Sequence, residues 1–137
     1  MRTLCGILLA GLLASYAAAQ QEELSARKMM EKLEKVPECL EYLRRAMEPI
    51  HRPDYEARSL PHDFVVVVRF KLHEDGSISD LATTQNTNSP VAPLCVRAIE
   101  NRAPFPKWPS KMRSIVGQDY FEIYYRFGWN MTPPRAH

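Results

Sequence analysis

The stretch FVVVVRFKLHEDGSISDLATT, residues 64–84, decides the fold. Its first ten residues are rich in β-branched and aromatic side chains, which predicts a strand over Phe64–His73. Asp75-Gly76 follows, and this dipeptide between two apolar runs predicts a tight hairpin turn because glycine tolerates a positive φ. A return strand is predicted over residues 78–84. Its lower apolar content indicates a place nearer the edge of the sheet.

The residues after the hairpin predict a polar loop and then a helix. The loop covers residues 85–89, and Ser89-Pro90 can open the helix, although Pro93 delays its regular start by about a turn. The side chains expected on the inner face of this helix are Leu94, Cys95, Ala98 and Ile99.

Two further segments complete this part of the chain. Residues 103–109 contain three prolines in alternation, so they can be neither helix nor ladder-paired strand. We expect this segment to be extended, with Phe105 and Trp108 inserted into the core. Residues 119–129 alternate apolar with polar side chains, which predicts the last strand. Residues 131–137 form a tail.

The residues before the hairpin predict two helices. Residues 22–36 are rich in strong helix formers, and Pro37 stops this helix and can open the next one over residues 38–47. Prolines then predict a loop over residues 49–62. The expected core-facing stripe of the second helix is Cys39, Leu40, Leu43, Met47 and Ile50.

The first residues predict a cleavable export signal. Arg2 supplies a positive charge, an uncharged apolar run of about 16 residues covers 4–19, and three alanines precede polar residues that begin at Gln20. The run is shorter than the ~20 apolar residues that cross a bilayer as a helix. We therefore expect cleavage between Ala19 and Gln20 and a periplasmic or secreted product. A retained membrane anchor is the alternative.

The chain after the signal is long enough for one domain. We divide it into N-terminal helices over 20–53, a domain over 54–130 and a tail over 131–137. The formal net charge of the 137-residue chain is +2, which is no reason to expect nucleic acid or an anionic membrane as a partner. No second apolar run approaches membrane-spanning length, so no membrane span is expected after the signal.

Cysteine usage is consistent with export. Cys5 lies in the predicted signal, which leaves the pair Cys39 and Cys95. An even number in an oxidising compartment favours a disulfide, which would stabilise the fold by roughly 4 kcal/mol in the chain-entropy model. Two buried free thiols are the alternative, because cysteine is often buried as a small apolar residue.

The order of these motifs resembles the carboxy-terminal domain of the TonB/TolA family. The matching residues are the hairpin KLHEDGSISDL at 71–81, the proline-started helix and proline segment PVAPLCVRAIENRAPFPKWP at 90–109, and the aromatic last strand. The likeness spans residues 38–130, and Cys95 matches a cysteine in the middle helix of TolA domains. The resemblance implies an α+β fold with a three-stranded antiparallel sheet, order 2-1-3, packed against helices. The anchor and the long spacer of TonB and TolA proteins are absent from this sequence.

The resemblance also implies a function. Family members hold a periplasmic or outer-membrane protein, often through a partner segment that pairs with a sheet edge. Here the strand order leaves one edge of the last strand open, and an added strand would satisfy its backbone groups. The partner-selecting side chains would be Tyr120, Glu122, Tyr124 and Arg126. They can also be ordinary solvated or helix-covered positions.

Two function classes follow from these residues. The first is an exported protein-binding module in the cell envelope, and the second is a self-associating structural envelope protein that forms a homodimer. A catalytic role is not expected, since the four histidines are scattered and neither a metal-ligand spacing nor a phosphate-binding glycine loop occurs. No cofactor is expected.

Overall fold

The computed structural model describes residues 2–50, 64–86 and 90–129, and the side chains of residues 17–50, 64–86 and 90–128. Most of the predicted loop at 49–62, the predicted cap residue Ser89 and the predicted tail at 131–137 lie outside the described residues.

Four helices and three strands make up the described part. The helices are α1 (Arg2–Glu34), α2 (Pro37–Met47), α3 (Ala92–Arg102) and α4 (Ser110–Val116), and the strands are β1 (Phe64–His73), β2 (Ile78–Asn86) and β3 (Tyr120–Trp129). The strands form one antiparallel sheet in the order β2-β1-β3. This architecture confirms the predicted α+β fold class and strand order.

The core lies between one face of the sheet and the helices. On β1, alternate residues face inward and are at most 3% exposed: Phe64, Val66, Val68, Phe70 and Leu72. On β3, Phe121, Ile123 and Phe127 are buried beside them. Val67 points to the other face and is nevertheless only 5% exposed, because side chains of α1 and β3 surround it.

Helix α1 is one continuous helix that includes the predicted signal and ends two residues before the predicted position 36. The predicted cleavage site between Ala19 and Gln20 lies within this helix, where both side chains are exposed. Among the residues that the structure describes, no helix combines the length and the apolarity that crossing a bilayer requires.

Helix α2 corrects part of the predicted stripe. Cys39 and Leu43 face the core as expected, but Leu40 is 47% exposed. Tyr42 takes an inward position instead, and its hydroxyl donates a hydrogen bond to the backbone carbonyl of Pro106 at 2.6 Å. The predicted stripe included only apolar residues and therefore omitted Tyr42. Tyr42 can be buried because its hydroxyl has a hydrogen-bond acceptor inside the fold.

The second half of the chain differs from prediction in three elements. In α3, Cys95, Ala98 and Ile99 are buried as predicted, but Leu94 is only half-buried and Ala92 takes an inward position. Strand β2 runs two residues further than expected, to Asn86, and its pairing with β1 shifts register twice. Helix α4 was not predicted. It is only 7 residues long, and Gly117, which caps its C-terminal end, has a φ of 81° in the left-handed region.

The proline segment packs against the hairpin turn. The backbone N–H of Phe105 donates to the carbonyl of Gly76 at 2.8 Å, and that of Trp108 donates to the carbonyl of Glu74 at 3.1 Å. The Phe105 ring stacks on Phe70 with centroids 5.8 Å apart. Phe105 and Trp108 are 3% and 8% exposed, which confirms their predicted place in the core.

The predicted disulfide is not formed. Cys39 and Cys95 are both free thiols, and each is fully buried in the apolar core. Both side chains are therefore accommodated as small apolar groups, the alternative considered from the sequence. Burial, assisted by the nearby charge of Glu38, raises the pKa of the Cys39 thiol, so this side chain is protonated at neutral pH.

Candidate functional site

The four residues predicted to bind a partner lie together on one face of the sheet. In the register between β1 and β3, Tyr120 pairs with His73, Glu122 with Lys71, Tyr124 with Arg69, and Arg126 with Val67. Because side chains alternate along a strand, these eight residues share the face opposite the main core. We call them the β1–β3 strip.

Cross-strand contacts hold one end of the strip. The ammonium of Lys71 lies 5.0 Å from the ring centroid of Tyr120, within cation–π range, and the rings of His73 and Tyr120 are 5.8 Å apart. Lys71 also forms an ion pair of 2.8 Å with Asp80 of β2. The hydrogen bond to Asp80 raises the pKa of Lys71 and lowers that of Asp80. Three strands thus contribute to one polar cluster.

The centre of the strip is formed by Tyr124. Burial, followed by the charge of Glu122, raises the pKa of its hydroxyl, and nearby Arg69 opposes that shift. The hydroxyl is therefore protonated at neutral pH and can both donate and accept a hydrogen bond. Arg126, at the other end, is exposed.

Helix α1 lies along β3, which is the strand predicted to have an open edge. Among the strands, α1 packs mainly against β3. A groove of about 220 Å³ separates them on the side of Tyr124 and Arg126, and a second of about 510 Å³ lies on the side of Tyr120 and Phe121. The α1 residues that line these grooves lie between Ala18 and Met30. The predicted open edge is therefore flanked by a helix.

A third groove, of about 500 Å³, lies at the hairpin end of the sheet. Three of its lining residues are acidic, but Glu74 pairs with Arg113 at 3.0 Å and Asp75 accepts hydrogen bonds from Ser77. The bonds from Ser77 lower the pKa of Asp75. In the described part of the chain, no group of three His, Cys, Asp or Glu residues is placed to hold a metal ion.

No protein family profile matches the chain, and no curated protein or solved structure is significantly similar to it. The resemblance to TonB and TolA domains therefore stays a prediction from the residues.

Sequence reasoning selected the β3 half of the strip and missed the β1 half. The predicted site contained no residue of β1, so Arg69, Lys71 and His73 were not part of it. The signal that could have found them is the predicted strand order 2-1-3, which places β3 beside β1. No comparable signal in the sequence indicated that α1 lies beside β3, because a helix with few apolar residues can pack at several places on a sheet.

Proposed function

We propose that this protein is an exported, non-catalytic protein-binding module, similar to the TonB/TolA carboxy-terminal domain, that binds an envelope or transport partner in the periplasm. The observation that carries the proposal is the β1–β3 strip. It is a row of tyrosine and charged side chains on the sheet face opposite the main core.

The composition of the strip suits a protein interface. Tyrosine and arginine are enriched among residues that dominate binding energy, because each combines a large contact area with hydrogen-bonding groups. The strip has two tyrosines on β3, together with Arg69 on β1 and Arg126 on β3. A partner would gain apolar contact at the rings and specificity from Glu122 and the two arginines.

The strip is also partly ordered before binding. Tyr120, Glu122 and Tyr124 are half-buried, and Lys71 is held between Asp80 and the Tyr120 ring. Side chains that are already restricted lose less conformational entropy when a partner arrives. Because the side chains of the strip project from strands, they are held more rigidly than they would be on a loop.

Strand addition at β3 is the binding mode that we propose. A partner segment that pairs with β3 would satisfy the backbone groups on its outer side and would bring its own side chains beside Glu122 and Arg126. In this mode the backbone supplies affinity and the strip supplies selectivity.

The test is a charge reversal within the strip. A tagged protein would be used to isolate its partner from envelope extracts, and the affinity of the purified pair would then be measured. We expect Glu122→Lys with Arg126→Glu to weaken binding by roughly 100-fold, because two interface charges then repel their counterparts.

The matched control reverses one acidic and one basic residue elsewhere. Glu100 and Arg97 are exposed on α3, and the control pair is Glu100→Lys with Arg97→Glu. It has the same net charge as the strip variant, and it should bind as the unmodified protein does. Equal binding by all three proteins would contradict the proposal.

A further inference from the structure

The part of α1 beside β3 is only partly buried. Leu33, near the end of the helix, is fully buried in the core, whereas Met29 and Met30 are half-buried where they pack against it and Leu24 is 44% exposed. Grooves of about 220 and 510 Å³ lie between this part of the helix and β3. The helix is therefore most deeply buried at its end, and two grooves interrupt its contact with the strand.

Among the described residues, no ion pair strengthens this contact. The acidic Glu23 pairs with Arg27 of the same helix at 3.2 Å. In the larger groove the charged lining residues are Glu22 on the helix and Glu122 on the strand, whereas the smaller groove has charges of both signs on both elements. Removing α1 from β3 would relieve the repulsion at the larger groove.

A helix is also a poor chemical match for a strand edge. Its backbone N–H and C=O groups are bonded within the helix, so they cannot pair with the outer groups of β3. In the described residues, no backbone hydrogen bond connects α1 with β3. An extended segment could form such bonds, and this difference favours a strand over the helix at that edge.

We propose that residues 20–30 of α1 are a displaceable cover on β3, and that an extended segment of the partner protein replaces it. This inference rests on the proposed function. The helix would swing away about its fixed end at Leu33, and the incoming segment would pair with β3.

The geometry defines the chemistry of that segment. On one side it would meet Phe121 and Ile123, the buried positions of β3, and apolar residues would take the space that Met29 and Met30 leave. On the other side it would meet Glu122 and Arg126. The expected partner segment is an amphipathic strand with a basic residue opposite Glu122 and an acidic residue opposite Arg126.

Hydrogen exchange of the full chain tests the cover without any partner. We expect the amides of residues 20–30 to exchange at least about 100-fold faster than those of α2 and β1, because local opening leaves the core intact. If residues 20–30 exchange as slowly as α2, the cover is not displaceable and this inference is wrong. That result would leave the proposed protein-binding function standing.

A synthetic peptide tests the occupant. The probe is a ten-residue peptide in which Val alternates with Thr, with Lys and Glu in place of the Thr residues that come opposite Glu122 and Arg126. A peptide with the Lys and Glu exchanged is its control. We expect the first peptide to bind at least about tenfold more tightly, since each charge meets its opposite.

Two matched variants connect the cover to binding. Ser25→Glu places another negative charge in the groove that Glu22 and Glu122 line, whereas Leu24→Glu makes the same charge change at a residue that lines neither groove. Because weakening the cover raises the binding-competent fraction, Ser25→Glu should tighten peptide binding about tenfold and Leu24→Glu should not. Equal peptide binding by the two variants would overturn the inference. Fast exchange of α1 without peptide binding would contradict both the occupant and strand addition at β3.

Discussion

A Cβ atom placed on Gly76 would lie 1.9 Å from the backbone carbonyl oxygen of Phe105. The carbonyl of Gly76 in turn accepts a 2.8 Å hydrogen bond from the backbone N–H of Phe105. The hairpin turn and the proline segment thus approach each other at a distance that only glycine permits. Gly76 also has a φ of 92°, so the turn and the contact both require this residue.

Gly76→Ala should therefore strongly destabilise the protein. The left-handed conformation costs an alanine about 1–2 kcal/mol, and the clash with Phe105 adds to this, so we expect a loss of about 3 kcal/mol or more in the free energy of unfolding. Gly117→Ala is the control, because Gly117 has a similar φ of 81° but no atom within 4 Å of its Cβ position. It should lose only about 1 kcal/mol in urea unfolding. Equal losses of unfolding free energy in the two variants would show that the close approach to Phe105 does not contribute to the destabilisation.

Tyr42 should make stability depend on pH in the alkaline range. Burial raises its pKa to about 12, against the opposing charges of Arg102 and Arg45. An unfolded tyrosine has a pKa of about 10, so the contribution of the protonated hydroxyl is complete below pH ~10 and is lost as the pH rises to ~12. Tyr42→Phe should cost about 1 kcal/mol at pH 7, since the hydrogen bond to Pro106 is lost. Between pH 10 and 12 the difference in unfolding free energy from the unmodified protein should shrink. A constant difference would contradict this role.

Arg102 should be needed as an arginine and not merely as a positive charge. Its guanidinium donates to the backbone carbonyls of Ala46, Pro104 and Arg45, at 2.9, 3.3 and 3.4 Å, and lies 4.9 Å from the Phe105 ring centroid. Lysine cannot reproduce this fork, so Arg102→Lys should lower the free energy of unfolding by about 1–2 kcal/mol. The exposed Arg97 is the comparison, and Arg97→Lys should change stability by less than about 0.5 kcal/mol.

Both core cysteines should be free and unreactive in the native protein. Cys39 and Cys95 are fully buried, and the raised pKa of Cys39 leaves little thiolate at neutral pH. We expect no alkylation of either residue by iodoacetamide in the native state, and complete alkylation of both in urea without a reductant. Mass spectrometry of the peptides gives the result. If both cysteines stay unlabelled in urea until a reductant is added, they form a disulfide and this prediction is wrong.

Some elements could be predicted from the sequence because a local rule determined them. The β-branched and aromatic residues of Phe64–His73 and the Asp75-Gly76 turn defined the hairpin, and the alternation in the last strand defined β3 and the face that its polar residues occupy. Prolines marked the extended segment at 103–109. In these places a residue's neighbours in sequence contained the whole signal.

Other features depended on contacts between distant segments. Tyr42 is buried because Pro106 supplies an acceptor 64 residues away, and no pattern within α2 indicates that partner. The position of α1 beside β3 likewise depends on contacts between segments that are distant in sequence. The cysteine pair was predicted from compartment and parity, but a bridge needs a specific geometry that sequence does not contain. Helix α4 is too short for periodicity to reveal it.

The two register shifts of β2 have a consequence for how copies of the protein can associate. Pairing with β1 is interrupted between Val67 and Val68 and again between Arg69 and Lys71, and Asp80 in the second interruption has a φ of 53°. Irregularities of this kind keep an edge from templating a regular cross-β stack. The β2 edge of the sheet is therefore less able than the β3 edge to pair with another chain. Aggregation by edge-to-edge growth would be halted at β2, so even an uncovered β3 could recruit one strand without starting a fibril.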